Sequence, residues 1–283
     1  MTRIGELLKQ GRTRLGGSEA AASEAEILLA HLLQKNRAWL YAWPERELTE
    51  TEAERYRALL ERRAQGEPVA YLTGQREFWS LPLEVDHNTL IPRPETEELV
   101  AFVLEALPSR QPLRVVDLGT GSGAIALALA SERPAWQILA CDRDAGALRV
   151  ARRNASRLEL SLSLVQSDWL EGLAGPFDLI IANPPYVAAG DPHLDQGDLR
   201  YEPRHALASG PEGLDAMHRI VAQAMQRFAP GGWLVLEHGY DQGEQVRRLL
   251  TAAGLEAVET RKDLAGNERF SHARAPLPRP HKG

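Results

Sequence analysis

Cysteine is all but missing. Cys141 is the only one in 283 residues, which rules out an intramolecular disulfide and suits a reducing cytoplasm. Long apolar runs are missing as well. None approaches the roughly 18 residues that a membrane span needs, so no membrane partner is expected. The opening stretch, MTRIGELLKQGRTRLGG, has neither an apolar core nor a small-residue cleavage site, and no signal peptide is read there. Positive charge is not in excess either. The net charge is −6, whereas binding a nucleic-acid backbone relies on Lys and Arg to neutralise phosphates. No direct nucleic-acid partner is therefore expected, while a basic protein or a small substrate fits the balance. His193, His205 and His238 lack close ligand spacing, so no metal site is expected. Internal repeats are absent, and the expectation is a monomer.

What is present is ordinary for a globular chain of two domains, with 43% apolar and 25% charged residues. Residues 1–70 read as a small helical domain. Ile4, Leu7 and Leu8 begin one apolar stripe, and Ala25, Leu28, Leu29, Leu32 and Leu33 continue another at helical spacing. Thr49 followed by Glu52 fits a capping box opening a further helix with Tyr56, Leu59, Leu60 and Arg63. This domain serves either recognition or structure; periodicity does not separate the two. Residues 71–92 read as a hairpin linker, with Phe78-Trp79 and Leu83-Glu84-Val85 as its arms around Ser80-Leu81-Pro82. A helix with Glu95, Glu97 and Glu98 in its first turn follows.

From there the texture alternates. Strands are expected at 114–118, 137–141, 163–166, 177–182 and 233–237, helices at 124–132, 145–158, 214–228 and 242–252, and a closing antiparallel pair at 255–260 and 269–275. That order implies an α/β catalytic domain over 93–275, with parallel strands, right-handed crossovers and ligands at the carboxyl ends of the strands. The Pro-rich, basic tail 276–283 is expected to be disordered.

Three strand ends carry candidate chemistry. The first strand runs into Asp117-Leu118-Gly119-Thr120-Gly121-Ser122-Gly123. Such a loop lets a ligand approach the backbone closely and lends it the N–H groups at the start of the next helix. It suits several adenosine cofactors and even meets a loose dinucleotide pattern. Asp117 favours a cationic ligand, S-adenosylmethionine, over a pyrophosphate. Asp142, 23 residues past Gly119, can reach ribose hydroxyls. Asp168-Trp169 offers a carboxylate and a flat ring for adenine, or else an N-cap and a half-buried indole. The fourth strand ends in Asn183-Pro184-Pro185-Tyr186. Two prolines cannot continue a ladder, and the residue before them is held extended. The resulting stiff loop presents the Asn183 side-chain oxygen and the Pro184 carbonyl as neighbouring acceptors, with Tyr186 as an aromatic face. Two such acceptors can hold a planar NH2 group and aim its nitrogen at a methyl donor. The loop 187–212 is long and without regular pattern, and a docking or lid role is expected for it.

With these residues in place, the chain resembles the bacterial glutamine N5-methyltransferases of peptide chain release factors. The matching blocks are Ala25-Glu26-Ile27-Leu28-Leu29-Ala30, Gly66-Glu67-Pro68-Val69-Ala70-Tyr71, Arg76-Glu77-Phe78-Trp79, Leu90-Ile91-Pro92-Arg93-Pro94-Glu95-Thr96-Glu97, the Gly-rich loop, Asn183 to Tyr186, and Leu236-Glu237-His238-Gly239. The block around Ile91 to Glu97 separates this family from adenine-N6 methyltransferases of DNA or RNA, the alternative, which share Asn-Pro-Pro-Tyr. Small departures are Glu24 where Asp is usual and Pro211-Glu212 within the loop. The resemblance implies a seven-stranded Rossmann-like sheet with an N-terminal helical domain joined by a hairpin. It implies that the backbone of Gly119 to Gly123, with Asp142, Trp169 and Asn183, holds S-adenosylmethionine. It implies that Asn183 to Tyr186 clamps the glutamine of a Gly-Gly-Gln motif in a release factor, modulating translation termination.

Overall fold

The computed structural model describes residues 2–108 and 110–277. Two compact units are present, one running to Gln75 and including Gly197–Tyr201, the other formed by Arg76–Gln196 and Glu202 onward.

The first unit is helical. After a two-residue strand β1 (Thr2–Arg3) come α1 (Ile4–Arg14), α2 (Glu19–Leu33), α3 (Arg37–Ala42), a short β2 (Glu47–Leu48) paired with β1, α4 (Glu50–Ala64) and α5 (Val69–Thr73). Side chains set the starts of three helices: Ser18 caps α2, Asn36 caps α3, and Thr49 with Glu52 forms the expected capping box on α4. The expected stripes meet in one core, with Ile4, Leu7, Leu28, Leu29 and Tyr56 fully buried. The Tyr56 hydroxyl, far from water, donates to the Ala25 carbonyl at 3.1 Å. The short helix α3 has no counterpart in the periodicity reading, since its six residues are too few to show a period.

A hairpin follows, β3 (Gln75–Phe78) and β4 (Leu81–Glu84). Its turn is Trp79-Ser80, both at positive φ (53° and 58°), whereas the sequence placed Leu81 and Pro82 in the bend. A two-residue hairpin loop of type I′ needs positive φ at both central positions. Here non-glycine residues accept it because Trp79 is held from outside: its backbone N–H donates to Glu97 Oε1 at 2.8 Å and its indole N–H to Glu132 Oε1 at 2.9 Å.

The remaining elements are α6 (Thr96–Ala106), β5 (Arg114–Leu118), α7 (Ala124–Glu132), β6 (Gln137–Asp142), α8 (Ala145–Arg157), β7 (Ser163–Gln166), β8 (Phe177–Ala182), α9 (Arg204–Leu207), α10 (Asp215–Ala224), β9 (Phe228–Glu237), α11 (Gly243–Ala252), β10 (Glu256–Lys262) and β11 (Glu268–Arg274). Seven strands form one sheet in the order β10-β11-β9-β8-β5-β6-β7. The pairs joining β5 through β9 are parallel, and β11 runs antiparallel between β9 and β10. The expected Rossmann-like α/β class holds. Two boundaries differ from expectation by more than two residues. The helix over 214–228 ends at Ala224, and β9 starts five residues early, at Phe228, which pairs with Phe177 before Ala229 to Gly232 bulge out of register. Pro230 and two glycines hid that strand start, because such residues normally exclude a strand.

Two apolar layers cover the sheet, one built on α6 and α7 with Leu99, Val103, Leu127 and Leu129, the other on α10 and α11 with Met217, Ile220, Val246 and Leu250. Alternate β-strand residues feed the two: Val115, Leu179 and Ile181 face the first, and Val116, Ile180 and Leu234 the second. The chain enters the sheet at β5, steps outward to β6 and β7, then returns to place β8 on the other side of β5. At that reversal the crossovers leave on opposite faces, opening a crevice at the carboxyl ends of β5 and β8. The tail expectation falls, for 278–283, outside the described residues.

Candidate active site

The crevice holds a cavity of about 230 Å³. Its lining includes Gly119, Gly121, Asp142, Asp168, Trp169, Asn183 and Pro185 from among the residues singled out in the sequence. Residues of the long loop and of α10, among them His205, Ser209, Gly210 and Arg219, complete it. Asp117, Thr120, Ser122, Gly123, Pro184 and Tyr186 are not on that lining.

Each wall has a local cause. Gly119 leaves β5 at φ 70°, and a Cβ there would stand 3.2 Å from the Trp169 ring; its bare backbone is what lets the indole lie against the loop. Thr120 anchors the turn by donating its N–H to the Cys141 carbonyl at 2.9 Å and its hydroxyl to Asp117 Oδ2 at 2.6 Å. Asp117 thus sits behind the loop, 1% exposed. Burial pushes its carboxyl up to about 7, against the Thr120 hydroxyl and the Ala126 N–H, which pull it down. Asp142, at the end of β6, accepts the Gly121 N–H at 3.0 Å and the Asp144 N–H at 2.9 Å. Desolvation still raises its pKa. Beside it, Asp168 pairs one oxygen with Arg219 at 2.6 Å. Its other oxygen is buried and has no hydrogen-bond partner, so an acceptor stands unused at the cavity wall next to a flat ring. No helix begins at Asp168, so the N-cap alternative does not describe it.

Asn183 directly follows β8. Its side-chain NH2 donates to Thr96 Oγ1 at 3.2 Å, and Thr96 donates in turn to Glu237 Oε2 at 2.7 Å. Glu237 is 3% exposed, and burial pushes its carboxyl up to about 7. Farther along the loop, the Tyr186 carbonyl accepts from Gln242 Nε2 at 3.0 Å, and the Tyr186 phenol is raised by desolvation. The loop after Tyr186 is not shapeless. Val187 bridges to Ala208, two 3-10 turns cover Pro192–Asp195 and Gly197–Tyr201, and α9 follows. Glu202 ties that loop down: its carboxylate accepts the Ile91 N–H at 3.0 Å and the Arg93 guanidinium at 2.5 Å.

Comparison with known proteins adds the family. A model described as PrmC N-terminal domain matches residues 6–74, and one described as Methyltransferase small domain matches 97–198. The chain is 52% identical over 255 residues to a release factor glutamine methyltransferase of Xylella fastidiosa, covering 89% of this chain and 93% of that one. It is 48% identical over 269 residues to the enzyme of the same description from Escherichia coli, covering 94% and 97%. The chain belongs to the release factor glutamine methyltransferase family. A solved methyltransferase structure from Pyrococcus furiosus, 19% identical, covers 77% of this chain and 98% of its own with a TM-score of 0.55, a likeness of fold.

For a chain of the release factor glutamine methyltransferase family, the buried polar groups behind the Asn183 loop are the part that residue-by-residue reading missed. Thr96, Glu202, Glu237 and Gln242 are each less than a tenth exposed. Thr96 and Glu202 stand beside prolines and near loops, with no spacing to mark them. Glu237 did carry a signal: a carboxylate directly after the apolar run Trp233-Leu234-Val235-Leu236 has to be buried or functional.

Proposed function

We propose that this chain transfers a methyl group from S-adenosylmethionine to the side-chain amide nitrogen (N5) of the glutamine in the Gly-Gly-Gln motif of peptide chain release factors. The observation that carries this reading is the Asn183-Pro184-Pro185-Tyr186 loop at the topological reversal, beside a cavity walled by Asp142, Asp168 and Trp169.

The residues fit the methyl donor on one decisive point, the unpartnered buried oxygen of Asp168 next to Trp169. It suits the amino group of an adenine stacked near the indole. Asp142, on the cavity lining, keeps lone pairs for two vicinal hydroxyls, whereas Asp117, buried behind the loop, does not face the ligand space. S-adenosylmethionine, when bound, would supply a methyl group made electrophilic by its cationic sulfur, which would keep the electron pair of the broken S–C bond and leave as a neutral thioether.

The chain's own work is orientation. The nitrogen lone pair of an amide is delocalised into its carbonyl. Asn183 Oδ1 and the Pro184 carbonyl accept the two N–H bonds of the glutamine and turn the nitrogen toward the donor. Their partial negative charge also offsets the positive charge that develops on nitrogen as the new N–C bond forms. No strong base is needed beforehand, because the nitrogen sheds its surplus proton to water afterwards. Tyr186 flanks the amide plane. Such a substrate places the reaction in the cytoplasm.

The test is label transfer from methyl-labelled S-adenosylmethionine. A release factor should take up label, and the same factor with its Gly-Gly-Gln glutamine changed to Glu should not. Uptake by duplex DNA or structured RNA, with none into the release factor, would favour adenine-N6 chemistry.

A further inference from the structure

We infer that Thr96 and Glu237 are positioning residues that decide which end of the Asn183 carboxamide faces the reacting nitrogen. The inference rests on the glutamine reading above and adds two residues to it.

A carboxamide is nearly symmetric in shape and opposite in chemistry at its two ends. To hold a substrate NH2 group, Asn183 must offer its oxygen; turned over, it would set a donor against a donor. Something has to choose. Thr96 Oγ1 lies 2.7 Å from Glu237 Oε2 and 3.2 Å from the Asn183 side-chain nitrogen. A hydroxyl has one proton to give. In the structure Glu237 Oε2 accepts that proton. The Thr96 oxygen is then left with lone pairs alone on the Asn183 side, and only the NH2 end of Asn183 can meet it. Asn183 Oδ1 therefore points away from Thr96, and Asn183 is on the cavity lining. The chain of donors and acceptors, rather than the shape of the amide, fixes its polarity.

The surroundings make this choice strict. Thr96 and Glu237 are each 3% exposed, so water cannot readily replace either partner. The three groups come from three places in the chain, the start of α6, the residue after β8 and the end of β9, and Asn183 and Glu237 meet on the Thr96 hydroxyl. That hydroxyl does not cap its own helix, which begins at Thr96 with Glu95 as an N-cap residue that makes no side-chain cap. Burial works against the charged form of Glu237, with Glu95 adding to it, while the Thr96 hydrogen bond and the positive charges of Arg269 and Arg93 favour that form.

The experiment combines steady-state kinetics with side-chain amide NMR of 15N-labelled protein, the Asn183 resonances being assigned by their loss in Asn183→Asp. Thr96→Val keeps the shape and removes the hydroxyl. It should lower kcat by about 100-fold, the scale of losing one aimed polar contact in a transition state. S-adenosylmethionine Kd should stay within about threefold, since uniform binding is untouched. Thr96→Ser should restore most of the turnover. In the protein without substrate, the Asn183 NH2 resonances should be protected from exchange and shifted, and Thr96→Val should abolish both effects. Wild-type turnover by Thr96→Val, or an unchanged Asn183 NH2 in that variant, overturns the inference. So does a Thr96→Val that loses fold and cofactor binding together with a Thr96→Ser that does the same, since that marks a structural role. Because the NMR readout needs no substrate, it separates the two claims. A wild-type enzyme that leaves the release factor unmodified while its Asn183 NH2 is held by Thr96 defeats the functional reading and leaves the positioning intact.

Discussion

At the scale of single residues, Asn183 and Asp117 make opposite kinds of contribution. Asn183 touches the cavity through one side-chain group among many lining residues. Asn183→Ala should therefore keep cofactor Kd within a few-fold while turnover falls by roughly two to three orders of magnitude, as for loss of an aimed transition-state contact. Isothermal calorimetry beside single-turnover assays checks it; an equal loss of affinity and rate would assign Asn183 mainly to the cofactor. Asp117 is instead a buried carboxyl raised from 3.8 to about 7. Its folded form holds more protons than its unfolded form between those values, so this group's contribution to stability falls as pH rises from about 4 to about 7 and is level above. The full swing is on the order of 4 kcal/mol, at about 1.4 kcal/mol per unit. Glu237, also raised to about 7, adds a swing of the same sign. Denaturant melts of ligand-free Asp117→Asn across that window should show a flatter pH dependence than wild type; an unchanged slope would mean that Asp117 is ionised and compensated in the fold. Gly119, Asp142, Asp168, Trp169 and Asn183, which line the cavity, were legible as candidates in the sequence because they stand at or just past strand ends. Thr96 and Glu202 were not, because a hydroxyl or carboxylate buried by a distant element leaves no local spacing to read.

At the scale of elements, the Asn-Pro-Pro-Tyr loop owes its shape to what stands behind it. Gly213 has φ 77°, and a Cβ on it would come within 2.1 Å of the Tyr186 carbonyl oxygen and 2.7 Å of Gln242 Nε2. Gln242 closes the arrangement by accepting the Gly239 N–H at 2.8 Å and donating to the carbonyls of Tyr186 and Glu212. Gly213→Ala must displace backbone, not a flexible side-chain tip, and should cost about 1–3 kcal/mol from the left-handed conformation and the clash combined. Because Tyr186 would move with it, kcat/KM should fall more than the melting point suggests. Kinetics at a temperature where the variant is fully folded checks this, and near-normal kcat/KM would show the loop to be self-supporting. Strand and helix cores were readable to within a residue or two for most of β5 to β8, where apolar alternation and glycine punctuation agree. The hairpin turn and the start of β9 were not. Trp79 and Ser80 adopt positive φ only because Glu97 and Glu132 hold Trp79, and Pro230 lies in a bulge that pattern alone reads as a loop.

At the scale of the molecule, the order of strands assembles the site. Entering the sheet at β5 and returning to its other side at β8 brings the Gly-rich loop and the Asn183 loop, some sixty residues apart, to one crevice. Alternation of strands and helices implied a parallel sheet, yet not which strands would be neighbours; that depends on long-range packing of the layers over both faces. The central claim, that this crevice methylates one amide nitrogen of a release factor, meets its most direct test in mass spectrometry of a purified release factor before and after incubation with this chain and S-adenosylmethionine, in both isolated and ribosome-bound forms. The expected result is a gain of one methylene, mapped by fragmentation to the glutamine side chain of Gly-Gly-Gln and absent when Asn183→Ala replaces the wild-type chain. An unmodified release factor in both forms, or a methyl group mapped to any other residue, would contradict it.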